Sequence, residues 1–397
     1  MFESGLTVDI NVFKDSPVGE LRPITGYEGE RPYSTFAFVP KPLPSSIQLT
    51  ERTHSRVAQA NLDIGRLDFA VRRLPDPALL VRPALRREAQ STSELEGTYA
   101  PLEEILEADF LEESQRTAEV KEVMNFVRAA ERGLDLIKKL PVCLSMISEL
   151  QRITVRGTRG DTYDAGQLRT RQVFIGDRSR RIEDSRFIPP PPGDLLVQGM
   201  SDWEKWINDI DDDVSPLVKA AVGHYQFETL HPFSDGNGRI GRLIITLQLV
   251  EAQALRYPIL NLSPWLNDRR EEYKDHLLNV SITGDFNPWV QFFCQAVIEE
   301  AARTVRKIED LLTAREEMRN ELRAQKVRGV AVDIVDSLIG YPYITVPEAA
   351  ELHGVTYPPA NAAIARLVEM GILSETTGNA YGRIFVCPRI RKIITSR

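Results

Sequence analysis

The chain has 397 residues, 42% of them hydrophobic and 27% charged, with 49 Lys and Arg against 57 Asp and Glu for a net charge of −8. That length leaves room for two or three domains with full cores, and the composition is that of a folded globular chain. The negative balance argues against nucleic-acid binding over the surface as a whole, and no apolar run approaches the ~20 residues of a membrane-spanning helix.

Residues 1 to about 48 read as loop-rich, with Pro23, Pro32, Pro40, Pro42 and Pro44. The start, Met1-Phe2-Glu3, has an acid and no basic stretch, so no signal peptide is expected. Cys143, Cys294 and Cys387 have neither disulfide nor zinc spacing and point to buried thiols in a reducing, cytoplasmic setting. Helical periodicity follows near 51–73, 78–96, 101–112, 115–138 and 143–156. In the second of these, Pro83 falls in the first turn and Gly97 where a helix often stops. Glu96 at that C-terminal end opposes the helix dipole unless a cation meets it.

Val173-Phe174-Ile175 is a short β-prone run before Gly176, and it reads as one arm of a hairpin over about 166–178. Pro189 to Pro192 form a stiff polyproline connector. Helices are then expected near 201–210, 214–230, 238–254, 268–280 and 286–323, the last a charged linker ending near Lys326. The remaining segment reads as a helix from Ile344, a turn at Gly354, and a second helix over 360–368. Two strands follow, Gly371–Glu375 and 383–386, around Gly378 and Asn379. This order resembles a winged helix-turn-helix. Its second helix carries little beyond Arg366 and the opposing Glu369, while Arg389, Arg391, Lys392 and Arg397 come after the wing. Phosphate contacts need several cations, so a protein-binding or dimer-building role suits this module better than DNA binding.

The stretch with the most chemistry is His231-Pro232-Phe233-Ser234-Asp235-Gly236-Asn237-Gly238-Arg239-Ile240-Gly241-Arg242, followed by the apolar run Leu243 to Leu249. It reads as a loop opening a buried helix. Free N–H groups and the positive dipole end at such a start favour an anion. Glycines let the backbone approach a phosphate, and arginines bind phosphate oxygens bidentately. A base candidate and an oxygen ligand for Mg²⁺ stand beside them. Burying so many polar groups for packing alone would be costly.

This stretch resembles the signature of the Fic family, His-x-Phe-x-(Asp/Glu)-Gly-Asn-Gly-Arg-x-x-Arg, at every fixed position. The resemblance implies a mainly α fold, a Fic-type helical bundle with a short β-hairpin flap, here joined to a C-terminal winged helix-turn-helix domain. It implies transfer of AMP from ATP, with Mg²⁺, to a Ser, Thr or Tyr hydroxyl of a target protein. His231 would be the catalytic base and Asp235 the metal ligand. Asn237 would hold the α-phosphate with the backbone of Gly236 and Gly238, and Arg239 and Arg242 the β- and γ-phosphates, within a nucleotide site that includes Ile240 and Gly241. Gly238 stands where a phosphate-transferring variant of the family has Lys. Tyr273 falls near the family's adenine or ribose tyrosines, although Lys274 departs from that pair.

Thr92-Ser93-Glu94-Leu95-Glu96-Gly97 resembles the family's inhibitory motif, (Ser/Thr)-x-x-x-Glu-(Gly/Asn), which implies that Glu96 pairs with Arg242 and blocks productive ATP binding. Val173, Phe174 and Ile175 would belong to the flap that aligns the target by strand addition. Pro40 to Pro44 and the following helix resemble the N-terminal region of many Fic proteins. The implied organisation is an N-terminal region over 1–112 with the inhibitory helix at about 83–97, a Fic domain over 113–325, and a winged helix over 326–397. Self-modification and a homodimer fit the resemblance. Two other readings stay open: an ATP-responsive regulator that binds DNA through the winged helix, and AMP removal with Glu96 orienting a water.

Overall fold

The computed structural model describes residues 10–74, 76–176, 181–209, 214–378 and 382–396. In chain order they form β1 (Gly19–Glu28), β2 (Arg31–Pro40), α1 (Glu51–Val71), α2 (Val81–Leu95), α3 (Leu102–Glu107), α4 (Ala118–Leu136) and α5 (Leu144–Val155). Next come α6 (Asp194–Asn208), α7 (Pro216–Leu230), α8 (Asn237–Glu251), α9 (Ser263–Asp268), α10 (Arg270–Thr283) and α11 (Asn287–Ala324). The last elements are α12 (Val330–Ser337), β3 (Tyr343–Thr345), α13 (Val346–Leu352), α14 (Tyr357–Glu369), β4 (Ser374–Glu375), β5 (Ile384–Val386) and α15 (Pro388–Thr395). The protein is mainly α-helical. Its described residues divide into two compact units, one of 1–61, 128–254 and 265–296, the other of 62–127, 255–264 and 297–397.

The first unit is built around α7 and α8. Both are apolar on nearly every face, which makes a helix a core element rather than a surface one. Trp203 of α6 and Trp289 of α11 are buried, and each donates its indole N–H to an α7 carbonyl, Gly223 O at 2.9 Å and Ala221 O at 2.8 Å. Buried tryptophans need such a partner.

The N-terminal segment corrects the loop-rich expectation. β1 and β2 pair antiparallel over their whole length, from Gly19 opposite Pro40 to Glu28 opposite Arg31, around Gly29 at φ 62°. Pro23 and Pro32 hide this ribbon in the sequence. Proline costs a central strand a ladder bond, but in a two-stranded ribbon both strands are edges and tolerate it. Phe13 and Phe38 pack with Phe187 at ring separations of 5.4 to 5.8 Å, and Phe38 N donates to Ile188 O at 2.8 Å. The ribbon therefore backs the segment that follows the expected flap.

The flap is narrower than a hairpin ladder. Among the described residues its pairing is a single antiparallel bridge, Ile175 to Phe187, with N···O distances of 2.8 and 3.0 Å. Residues 177–180 lie outside the described residues.

In the second unit α2 ends as its sequence suggests. Thr98 N donates to Ser93 O at 2.9 Å and Gly97 N to Glu94 O at 3.0 Å, with Gly97 at φ 90°. This is the paired capping of a left-handed helix stop. Expected helix 101–112 shortens to α3 and a 3-10 turn, Ala108–Phe110. Tyr343–Thr345 is a strand where a helix start was expected. Ile344, Thr345 and Val346 are β-branched, and Thr345 caps α13 by accepting from Glu348 N at 3.3 Å. β3, β5 and β4 form an antiparallel sheet in that order. Asn379 of the expected wing and the final Arg397 lie outside the described residues.

Candidate active site

α7 stops at Leu230 because His231 turns left-handed, at φ 48° and ψ 61°, with its N–H on Phe227 O at 2.9 Å. For a residue with a side chain this conformation costs about 1–2 kcal/mol, so the surroundings must hold it. Arg169 does. Its Nε donates to His231 O at 2.8 Å and its backbone N–H to Pro232 O at 2.9 Å. The other guanidinium nitrogens reach Pro190 O at 2.6 Å, Arg171 O at 3.2 Å and Leu230 O at 3.4 Å. Burial pulls this guanidinium down to about 10, so it stays cationic at neutral pH. One side chain thus ties both ends of segment 171–190 to the backbone of His231.

The ring of His231 is oriented from below. Nδ1 lies 3.3 Å from Glu228 O and 3.9 Å from Glu228 Oε2. A carbonyl only accepts, so this pairing places the proton on Nδ1. The side chain is 21% exposed, enough for a substrate proton to reach it.

The loop that follows is stapled internally. Phe233 is buried, and the Asn237 amide spans it, accepting from Phe233 N at 2.8 Å and donating to Phe233 O at 2.7 Å. The Asn237 amide thus shapes the loop. Gln151 of α5 donates to Asp235 O at 3.0 Å and accepts from Gly166 N at 2.6 Å. Ser234 donates to Asp164 at 2.6 Å and Thr162 to the same carboxylate at 2.5 Å. Burial works to raise the Asp164 pKa, but these hydrogen bonds together hold it below the usual carboxylate range.

Gly236 adopts φ 81°, where a side chain would also meet Val155 at 3.3 Å, and α8 starts on the next residue. The first N–H groups of a helix have no acceptor within it, so the Asn237 and Gly238 end of α8 offers donors to an anion. Arg239 and Arg242 stand one turn in and are both buried. Arg239 Nη2 meets Asp235 Oδ1 at 3.2 Å. A metal that took Asp235 would free part of Arg239 for phosphate. Gly160 leaves the room that Asp235 uses, since a Cβ there would fall 2.9 Å from its carboxyl carbon. No cluster of three or more acidic, His or Cys side chains suited to a metal occurs among the described residues. One carboxylate still fits Mg²⁺, which takes one or two and fills the rest with waters and phosphate oxygens.

Three residues of the expected nucleotide site pack against the protein. Ile240 is fully buried. Gly241 lies where a Cβ would collide with the Glu228 carboxylate and come within 3.2 Å of His224 and Phe227, so it is glycine to let α8 close on α7. Tyr273 is 5% exposed, with its hydroxyl 2.6 Å from His224 Nε2 and its ring beside Trp289. His224 itself is fully buried; burial, then the Arg242 charge, pull its pKa down to about 3 and keep it neutral. Glu96 caps α2 in the second unit and is exposed, while Thr92 and Ser93 before it are buried. Val173 and Phe174 precede the Ile175 bridge, and Phe174 packs against Ala37, Ile182 and Ile188. Arg169, Gln151 and Asp164 had no role assigned from the sequence, because their partners are carbonyls and hydroxyls that no motif marks.

The description Fic/DOC family matches residues 141–249, and Fic/DOC family N-terminal matches 54–135. Two segments of the chain thus match the Fic/DOC family and its N-terminal region. Proteins named Protein adenylyltransferase Fic from Drosophila willistoni and Drosophila melanogaster are each 30% identical over 197 residues, 49% of this chain. The matched region spans 36% of those relatives' length, a little over a third. Among solved structures, a Fic family protein from Desulfovibrio desulfuricans matches with a TM-score of 0.55 at 20% identity, over 87% of this chain and 98% of that one. A Fic domain containing signaling protein from Bacteroides thetaiotaomicron matches at 0.50 and 20%, over 64% of this chain and 97% of that one. These two likenesses show the Fic fold.

Proposed function

We propose that this Fic protein transfers AMP from ATP to a hydroxyl of a target protein and is held in check by its own Glu96. The observation that carries the reading is the juxtaposition at the α7–α8 junction. A histidine whose Nδ1 lies 3.3 Å from Glu228 O precedes a helix N-terminus flanked by two buried arginines. Nε2 would accept the hydroxyl proton as the oxygen attacks the α-phosphorus. The new O–P bond forms, the bond from the α-phosphorus to the bridging oxygen of the anhydride breaks, and pyrophosphate leaves. Such a reaction needs positioning and charge neutralisation more than covalent help. The α8 N-terminus and Arg239 and Arg242 supply the positive field. Mg²⁺, held through Asp235, would neutralise phosphate charge.

Inhibition follows from charge. Glu96 ends a helix whose dipole disfavours it there, and Arg242 is a cation that the γ-phosphate also needs. On this reading the two compete. The DNA-binding alternative gains nothing from the C-terminal module. Arg389 pairs with Glu321 at 2.6 and 3.1 Å, and Arg366 pairs with Glu369 at 2.8 Å and with Gln325. Cations already paired with carboxylates release fewer counterions from DNA.

Label position tests the reaction type. With Glu96→Gly protein, α-labelled ATP should mark protein and γ-labelled ATP should not. Label from the γ-position alone would mean phosphate transfer and overturn the assignment.

A further inference from the structure

Helix α2 carries the segment that ends in Glu96, and its first half is gripped by the C-terminal 70 or so residues at several independent points. The Arg82 guanidinium lies 2.6 Å from Asp109 and 3.4 Å from Glu348 at the start of α13, and 4.3 Å from the centre of the Tyr341 ring. Arg82 and Glu348 are only 20% and 24% exposed, so the pair is less screened than a surface ion pair. Just before α2, the Leu79 backbone presses on Gly340. A Cβ on Gly340 would fall 2.7 Å from Leu79 O and 3.1 Å from Leu79 Cα. Farther along, Arg87 reaches Ile394 O of α15 at 3.4 Å, and Leu80 and Pro83 line a small cavity together with Ile394. These contacts use the Gly340 turn, the start of α13 and the end of α15. Helix α14 keeps an exposed face with Tyr357, Arg366 and Val368.

A helix that blocks a site through one residue at its end must be held along its length, since a pair at a frayed terminus is weak. Packing an apolar strip, a cation–π contact and a part-buried ion pair on one module supplies that hold. We propose that the C-terminal module is the grip on the inhibitory helix: it sets the position of α2 through Gly340, Tyr341, Glu348 and Ile394, and loosening it raises transfer. This assigns the module a regulatory role within the chain and rests on the reading of Glu96 as the inhibitory residue.

The test uses the full chain. Gly340→Val drives a side chain into the Leu79 backbone, and Arg82→Gln and Tyr341→Leu weaken the same junction more gently. Each is compared with wild type and Glu96→Gly for self-labelling from α-labelled ATP and for hydrogen exchange over 81–97. The expected result is faster exchange in α2 with labelling several-fold above wild type, and no further rise when the substitution is added to Glu96→Gly. Unchanged exchange, or faster exchange with wild-type labelling, overturns the grip. A rise that adds to that of Glu96→Gly also overturns it, because the variant then acts elsewhere. Should Gly340→Val not fold, the two gentler variants carry the same expectations. Failure of the underlying reading looks different: Glu96→Gly itself stays at wild-type labelling, and both ideas fall together.

Discussion

As the proposed base, His231 needs its ring oriented and its backbone held left-handed, and two neighbours divide that work. Glu228 O fixes the ring, and Arg169 fixes the backbone. Arg169→Met would leave the buried Pro190 and Leu230 carbonyls and the half-buried His231 carbonyl without this donor, a loss of about 1–3 kcal/mol for each group that stays buried and unpaired. In the Glu96→Gly background we expect Arg169→Met to cut the labelling rate at saturating ATP at least tenfold while nucleotide affinity changes little. Arg169→Lys, which keeps the charge and part of the bonding, should recover some of the rate. An equal loss of rate and of ATP affinity would show general damage instead.

A second histidine separates structure from catalysis. His224 is buried and neutral, with a pKa pulled down to about 3 by burial and then by Arg242. The unfolded chain binds a proton at this ring below about 6.5 and the folded chain does not. Its contribution to stability is therefore full above about 6.5 and is lost as pH falls toward 3, by up to about 1.4 kcal/mol per pH unit. His224→Gln should flatten the fall of the urea midpoint between pH 7 and 5 relative to wild type. Parallel curves for the two proteins would contradict this assignment.

At the scale of elements, helix ends carry the design. α7 ends at His231, the proposed base, α8 begins at the proposed anion site, and α2 ends at Glu96. Gly97→Ala must hold φ near 90° with a side chain, at a cost of about 1 kcal/mol, and no atom lies near enough to clash. We expect slightly lower stability and labelling above wild type, as the end of α2 frays. Lower stability with unchanged labelling would mean that the cap does not control Glu96. The α7–α8 junction was legible because its chemistry is contiguous: twelve residues bring base, carboxylate, glycines and arginines together without help from the fold. Arg169 and Gln151 were not, since each acts on backbone groups many residues away. The β1–β2 ribbon was hidden by Pro23, Pro32 and Gly26, whose costs in a strand vanish at an edge. The starts of α7 and α8 were legible to within a few residues because Pro216 and Gly236 mark them. Gly241 and Tyr273 pack against neighbouring helices, contacts that their place in the sequence does not announce. Closeness to the signature in sequence or in family pattern does not say whether a side chain faces a ligand or the neighbouring helix.

In the whole molecule a helical Fic fold is followed by a C-terminal segment in which Arg366 and Arg383 pair with Glu369 and Glu375, and Arg389 pairs with Glu321 of α11. Among the described residues no helix is long and apolar enough to cross a membrane. The central claim is a catalyst restrained by Glu96 and driven by His231. Self-labelling from α-labelled ATP with Mg²⁺, compared across wild type, Glu96→Gly and Glu96→Gly combined with His231→Ala, tests it most directly. The account predicts little label in wild type, at least tenfold more in Glu96→Gly, and a return to background in the double variant. Label in the double variant equal to that of Glu96→Gly would contradict it.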